Sequence, residues 1–411
     1  MKFKSLLVLI VAAVSAFAFA GTDPDQALAA INQIRADAVN KARTSGENVN
    51  FDEVNAKMKQ MALDAIKDVD PAKVEPSKAY TWAQLFAQAD KYEDIHALCE
   101  KFQTTNPTPE EAFNAHFLCL QAFNELKDYD DAVSTMGSMP LPTDMAAYQV
   151  ASMAAGAFAP AIAKKDGADA ANKMLDSVEK RLPEKAQSDK TQIYLDYAHG
   201  MITGARADLI KNSKGVDAAI KYLTEKMDSE TSAGIKNVLA SNLRSMKADL
   251  KMAALINHPV PTFETGRTIG MFKGLDALKG KVVILDFFAH WCGPCKAAFP
   301  DMRKMYDDLK GQGLEIVGLT TYYGFYGQDN AQKRDMDKDV EFTKMYGFTQ
   351  EHNINWPVAY IDRSVFDTFG ITGIPTTYVI DRQGNVHSYH IGYSADLFKT
   401  FRAEVEKLLK E

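Results

Sequence analysis

Cys292 and Cys295 lie three residues apart in the segment AHWCGPCKAAFP, residues 289–300. Thiols at this spacing can supply half of a zinc site, carry a covalent haem, or close reversibly to a disulfide. A structural zinc site needs four ligands, usually from a second such pair or from two histidines. The remaining cysteines, Cys99 and Cys119, are far upstream and not spaced as a pair. His387 and His390 fall three apart on a predicted strand, so they should point to opposite faces and sit at the surface. Haem attachment requires histidine directly after the second cysteine, and Lys296 stands there. Redox chemistry remains, with no metal and no cofactor beyond the Cys292–Cys295 disulfide itself.

The neighbouring elements fit that chemistry. The run KVVILDFFAHW is apolar and β-rich over residues 282–288, as a buried central strand is. Helical spacing follows over 294–310. The pair therefore opens a helix, where free N–H groups and the dipole favour the thiolate of the first cysteine. Gly293 and Pro294 permit the tight turn, and proline is tolerated in a first helical turn. Further along, 314–322 is a second buried strand, 338–348 a helix and 356–362 a short strand. Residues 376–392 form a hairpin turning at 383–385, and 395–410 are a last helix. Alternating strands and helices with a closing hairpin predict an α/β domain with a mixed sheet over 256–411. The segment HPVPTFETG, 258–266, reads as an extended lead-in.

Residues 21–255 have a different texture. Apolar residues recur at helical spacing, as at Trp82, Leu85 and Phe86, with breaks rich in Pro, Asn and Asp. Asp94, Asp131, Asp169 and Asp217 head similar segments, at spacings of 37, 38 and 48 residues. The expectation is an all-α domain resembling a tetratricopeptide-type array, whose period is near 34; a non-repeating bundle is the plainer alternative. Cys99 and Cys119 fall on neighbouring helices, too far apart along them for an expected disulfide, so buried free thiols are expected.

The 411 residues carry a formal charge of −7, which gives no support to nucleic-acid binding. With four cysteines in the whole chain, the fold is no disulfide scaffold. Residues 1–20 have the form of a cleaved secretory signal: Lys2 and Lys4, an apolar run from Leu6, and Ala18-Phe19-Ala20 before a polar turn. A periplasmic or secreted protein is expected.

DFFAHWCGPCK, 286–296, resembles the active-site segment of thioredoxins, and GIPTTYVID, 373–381, resembles the cis-proline strand of that superfamily. The lead-in and the long insert at about 314–368 resemble those of the TlpA/ResA-type exported thiol:disulfide oxidoreductases. The resemblance covers about residues 257–411. It implies a thioredoxin-like fold and a role for each matching residue. Cys292 is the exposed nucleophile and Cys295 the buried resolving thiol. Asp286 is a buried carboxyl that takes a proton from Cys295. Pro375 is the cis proline that turns the Ile374 backbone toward the dithiol to pair with an extended substrate. Trp291 caps the site. Two positions depart from the TlpA/ResA pattern: Ala298 stands where a glutamate is usual, and Asp286 is present where it is often missing. His290 either carries a charge that stabilises the Cys292 thiolate or is solvent-exposed with little effect. The aromatic segment TTYYGFYGQDN, 320–330, is expected as a packing loop, with a substrate-selecting wall as the alternative. The charged run 332–341 is expected to be a solvated helix start.

The expected activity is thiol:disulfide exchange on proteins carrying cysteines or disulfides. Reduction or isomerisation is favoured over oxidation by Gly293-Pro294, Ile374 and Asp286. A reductase would need an unknown membrane electron donor, and the helical domain could hold a protein partner. Two alternatives differ from this. In a helical scaffold with an incidental dithiol, Cys292→Ser would be harmless. A thiol peroxidase would need P-x-x-x-T/S-x-x-C, and Asp286, Ala289 and Cys292 do not supply it.

Overall fold

The computed structural model describes residues 23–45, 49–327 and 329–411. The expected signal segment, 1–20, lies outside them. Contacts divide the chain into two units: residues up to 215 with 225–239, and 216–224 with 240–411.

The first unit is helical throughout. Helices include Pro24–Ser45, Phe51–Ile66, Pro76–Gln88, Ile95–Gln103, Pro109–Leu126 and Gln192–Lys214. Ala79, Ala83, Ala115, Ala132 and Ala147 are fully buried, so small side chains let the helix backbones approach. Asp94 is the N-cap of one helix, and Asp131, Asp169 and Asp217 lie in the first turns of three others. Their recurrence therefore comes from helix starts, where a carboxylate faces the positive end of the dipole. Residues 144–166 form a helix long and apolar enough to cross a membrane. Here Ala147, Val150, Ala151 and Phe158 bury it in the helical core. A π-turn at Ala154–Phe158 precedes Pro160, whose missing N–H cannot continue the α-helical ladder.

Cys99 and Cys119 are buried free thiols. The Cys119 thiol beside it and burial push the Cys99 thiol well above its usual range.

The second unit is built on a six-stranded mixed sheet ordered β1-β4-β3-β2-β5-β6. The strands are β1 (Thr265–Ile269), β2 (Val282–Phe287), β3 (Leu314–Thr320), β4 (Val358–Ile361), β5 (Thr376–Ile380) and β6 (Val386–Ile391). Pairs β2–β3 and β3–β4 are parallel; the other three are antiparallel. Four helices accompany it: α1 (Gly293–Leu309), α2 (Lys338–Glu351), α3 (Arg363–Thr368) and α4 (Ala395–Leu408). All six residues of β2 are buried because apolar layers cover both faces. Val282 and Ile284 pack with Phe299, Met302 and Met305 of α1, while Val283, Leu285 and Phe287 pack with Val365 and Phe366 of α3. By this alternation Asp286 faces α1.

Strand β1 begins at the end of the expected extended lead-in, 258–266. It is a bulged edge strand against β4, largely exposed, and carries none of the alternating apolar signal that marks half-buried strands.

Candidate active site

Strand β2 ends at Phe287, and five residues later the chain turns into α1 with Cys292 as its N-cap. The cysteines are joined as a disulfide, with Cα atoms 5.3 Å apart. The Cys295 N–H donates to Cys292 Sγ at 3.2 Å. A sulfur at this position meets a free amide and the positive end of a 17-residue helix, and both favour a thiolate. Cys292 differs from the expected exposed nucleophile: it is 3% accessible and Cys295 is 1% accessible. The open side lies next to it. A Cβ placed on Gly293 would meet nothing within 4 Å, and Trp291 is 48% exposed.

The Ile374–Pro375 peptide is cis. The Pro375 carbonyl accepts from Gly392 N–H at 2.8 Å, which ties this loop to the end of β6.

On the β2 face toward α1, Asp286 is 4% exposed and burial pushes its carboxyl up to about 7. Desolvation is the cause: no cation is near enough to favour the carboxylate. Ala298 and Met302 of α1, on the helix face that Cys295 begins, line the same cavity as Asp286.

His290 fits neither expectation. It is 5% exposed, its ring stacks on Tyr326 with centroids 4.8 Å apart, and the edges of Phe325 and Tyr323 close around it. Burial drives its pKa down to about 4, against a hydrogen bond with the Phe325 backbone. At neutral pH it is an uncharged part of an aromatic cage and lends the thiolate no positive charge. The rings that enclose it belong to the 320–330 segment, which also meets Trp291 through Tyr323 at 5.5 Å, edge-on. This loop is therefore both packed and a wall beside the dithiol.

The anchor of that wall is Glu341, inside the run expected to be solvated. Residues 332–337 precede α2, and Glu341 in its first turn is 1% exposed. Its carboxylate accepts from Tyr323 N–H at 2.7 Å and Gly324 N–H at 2.9 Å. Burial outweighs these two bonds and raises its pKa. In the sequence it is one charge among many, and no local signal separates it from its neighbours.

His387 and His390 also depart from expectation. A bulge in β6 places His387 between Val386, opposite Ile380, and Ser388, opposite Val379. The extra residue breaks the alternation, and both histidines reach Glu404 of α4, at 3.6 and 2.9 Å.

Comparisons with known proteins follow this geometry. Residues 256–389 match the model of the AhpC/TSA family. The chain is 33% identical over 127 residues to the thiol-disulfide oxidoreductase ResA of Bacillus subtilis, covering 31% of this chain and 62% of that protein. It is 30% identical over 139 residues to ResA of Bacillus thuringiensis, covering 33% of this chain and 70% of that protein. The chain belongs to the ResA-type thiol-disulfide oxidoreductase family. A thioredoxin-family thiol:disulfide interchange protein of Chlorobium tepidum, solved by crystallography, is 29% identical with a TM-score of 0.30, covering 37% of this chain and 97% of that one. The AhpC/TSA match contains the dithiol, Asp286 and Pro375. The helical unit before residue 240 lies outside the AhpC/TSA match.

Proposed function

We propose that the protein is an exported enzyme that reduces or isomerises disulfides in other proteins. The observation that carries this reading is the Cys292–Cys295 disulfide at the start of α1, with a buried carboxyl, Asp286, on the sheet face toward α1. In the reduced form, the Cys292 thiolate attacks a substrate disulfide and forms a mixed disulfide, releasing one substrate thiolate. Cys295 gives its proton to the Asp286 carboxylate and attacks Cys292 Sγ. The second substrate thiolate leaves, and two electrons have passed from the protein to the substrate. Ile374, beside the cis Pro375, offers backbone groups to an extended substrate segment. Trp291 and the aromatic wall flank its path.

Export rests on the form of residues 1–20, and in that compartment a membrane donor would restore the dithiol. The helical unit would hold a protein partner, as tetratricopeptide-like arrays offer concave surfaces for peptides. The expected reduction potential is near or below about −230 mV, where thioredoxin-like reductants lie. The deciding experiment uses Cys295→Ser, which lacks the resolving thiol. It should accumulate a mixed disulfide with a disulfide-bearing protein through Cys292, and Cys292→Ser should accumulate none. If the Cys295→Ser protein, folded and reduced, captures no partner and wild type reduces no disulfide, the enzyme reading fails.

A further inference from the structure

Asp286 stands at one end of a cross-strand row. It pairs with Thr377 on β5, and Thr377 pairs with His390 on β6. Residues directly opposite on antiparallel strands project to the same face, with Cβ atoms about 4.5–5.5 Å apart. All three line one cavity of about 280 Å³, between the sheet and helices α1 and α4. Liquid water occupies about 30 Å³ per molecule, so the space holds several. Its rim carries Ile391 and Leu397, 49% and 56% exposed, so the cavity reaches solvent. At that end His390 Nε2 lies 2.9 Å from Glu404 Oε2, and Ser388 Oγ hydrogen-bonds the other carboxylate oxygen. A row of polar groups thus runs from the buried carboxyl to a histidine–carboxylate pair near the surface.

We propose that His390, held by Glu404, carries the Asp286 proton between the buried carboxyl and solvent, by way of the Thr377 hydroxyl and water in the cavity. The proposal rests on the reading above, in which Asp286 takes the Cys295 proton as the disulfide forms. That proton then sits on a carboxyl that is only 4% exposed. It must leave before Asp286 can serve again, and return when the disulfide is reduced. The transfer moves a proton only: Asp286 gives it to the Thr377 or water oxygen, that oxygen passes one to His390, and His390 gives one to solvent. Histidine is the side chain suited to accept and release a proton near neutral pH. Burial disfavours a charged Glu404, but hydrogen bonds from His390 and Ser388 prevail and hold its carboxyl below the usual range. It therefore stays ionised and steadies the imidazolium while the proton is in transit. The other polar groups around the row are engaged elsewhere or turned aside: Tyr389, also in the lining, packs its ring against Tyr378 at 5.9 Å. On β3, Asp286 faces Gly318. Tyr393 in the cavity donates to Asp301 of α1 at 2.6 Å. His387 shares Glu404. The remaining cavity side chains of α1 and α4 are apolar: Ala298, Met302, Leu397, Phe398 and Phe401.

The test follows the Asp286 carboxyl carbon by NMR in oxidised protein labelled with 13C-aspartate, between pH 5.5 and 8.5. Wild type should give one signal that moves continuously with pH, because protons exchange quickly. In His390→Gln the exchange rate should fall roughly tenfold, less than the factor of about a hundred or more that a direct acid–base group contributes. The signal should broaden or split, and added imidazole should restore the single line. Thr377→Val, which keeps the shape and removes the hydroxyl, should slow exchange in the same direction and serves if His390→Gln fails to fold. A single moving signal in the folded variants overturns the proposal, and so does slowing that imidazole leaves unchanged. Since the readout uses oxidised protein without substrate, it is independent of whether the protein reduces disulfides.

Discussion

The N–H of Cys295 points at the sulfur of Cys292 across 3.2 Å, one helical turn inside α1. After reduction the same amide and the helix dipole act on the Cys292 thiolate, while Cys295 sits deeper in the core. In the helical unit, the Cys99 thiol is held protonated by the neighbouring Cys119 and by burial. Reduced protein treated with one equivalent of iodoacetamide at pH 7 should therefore carry the label on Cys292, as read by peptide mass spectrometry. Equal labelling of Cys99 or Cys295 would contradict the site geometry.

Asp286 makes stability depend on pH with a definite sign. Its folded pKa, about 7, lies above the ordinary 3.8. Between those values the folded state keeps a proton that the unfolded state has lost. Stability is then highest at low pH and falls as pH rises toward 7, above which the effect is constant. At about 1.4 kcal/mol per pH unit this amounts to a loss on the order of 4 kcal/mol. Urea unfolding of the oxidised protein from pH 4 to 8 should show the decline in wild type. Asp286→Asn should remove that component, and an unchanged pH slope in the variant would mean that Asp286 is not the group responsible.

The cage around His290 works in the opposite direction. A histidine whose folded pKa is about 4, below its ordinary 6.5, adds stability that is present above 6.5 and lost as pH falls from 6.5 toward 4. At neutral pH it is uncharged, so it does little to the potential of the dithiol. His290→Phe should shift the reduction potential at pH 7 by less than about 10 mV, where a change of 30 mV would mark about 1.4 kcal/mol of lost thiolate stabilisation. Equilibration against glutathione measures this directly.

The dithiol and its setting were legible because their signals are local. A cysteine pair after an apolar β-run and before helical spacing leaves few chemistries open, and an aspartate inside VVILDFF has little reason to exist without a buried role. The errors came where three-dimensional context overrides local pattern. His290 is next to Trp291 in the chain, yet its environment is made by rings some 33 to 36 positions further on. Glu341 lies in a charged run and is buried because two loop amides need an acceptor. The partnership of His387 and His390 depends on one bulge that shifts the strand's phase, and nothing in the alternation of β6 announces it.

The aromatic wall offers the last prediction. Its backbone is pinned at Gly324, which has φ 75° and would place a Cβ 2.1 Å from the Arg334 carbonyl oxygen. Any side chain at 324 must therefore displace the loop. Glu341 holds the same turn by accepting two amides, and its loss leaves both part-buried donors without this partner, at up to about 1–3 kcal/mol each. Glu341→Ala and Gly324→Ala should each lower stability by a few kcal/mol. They should also release the ring of Tyr323 from Trp291, which shows as a change in tryptophan fluorescence. Glu341→Gln, which keeps one acceptor oxygen, should fall between wild type and Glu341→Ala in both readouts. If the wall selects substrates, the alanine variants should keep their reaction with dithiothreitol and lose rate with a protein disulfide. Parallel loss with both reagents would assign the loop to packing alone.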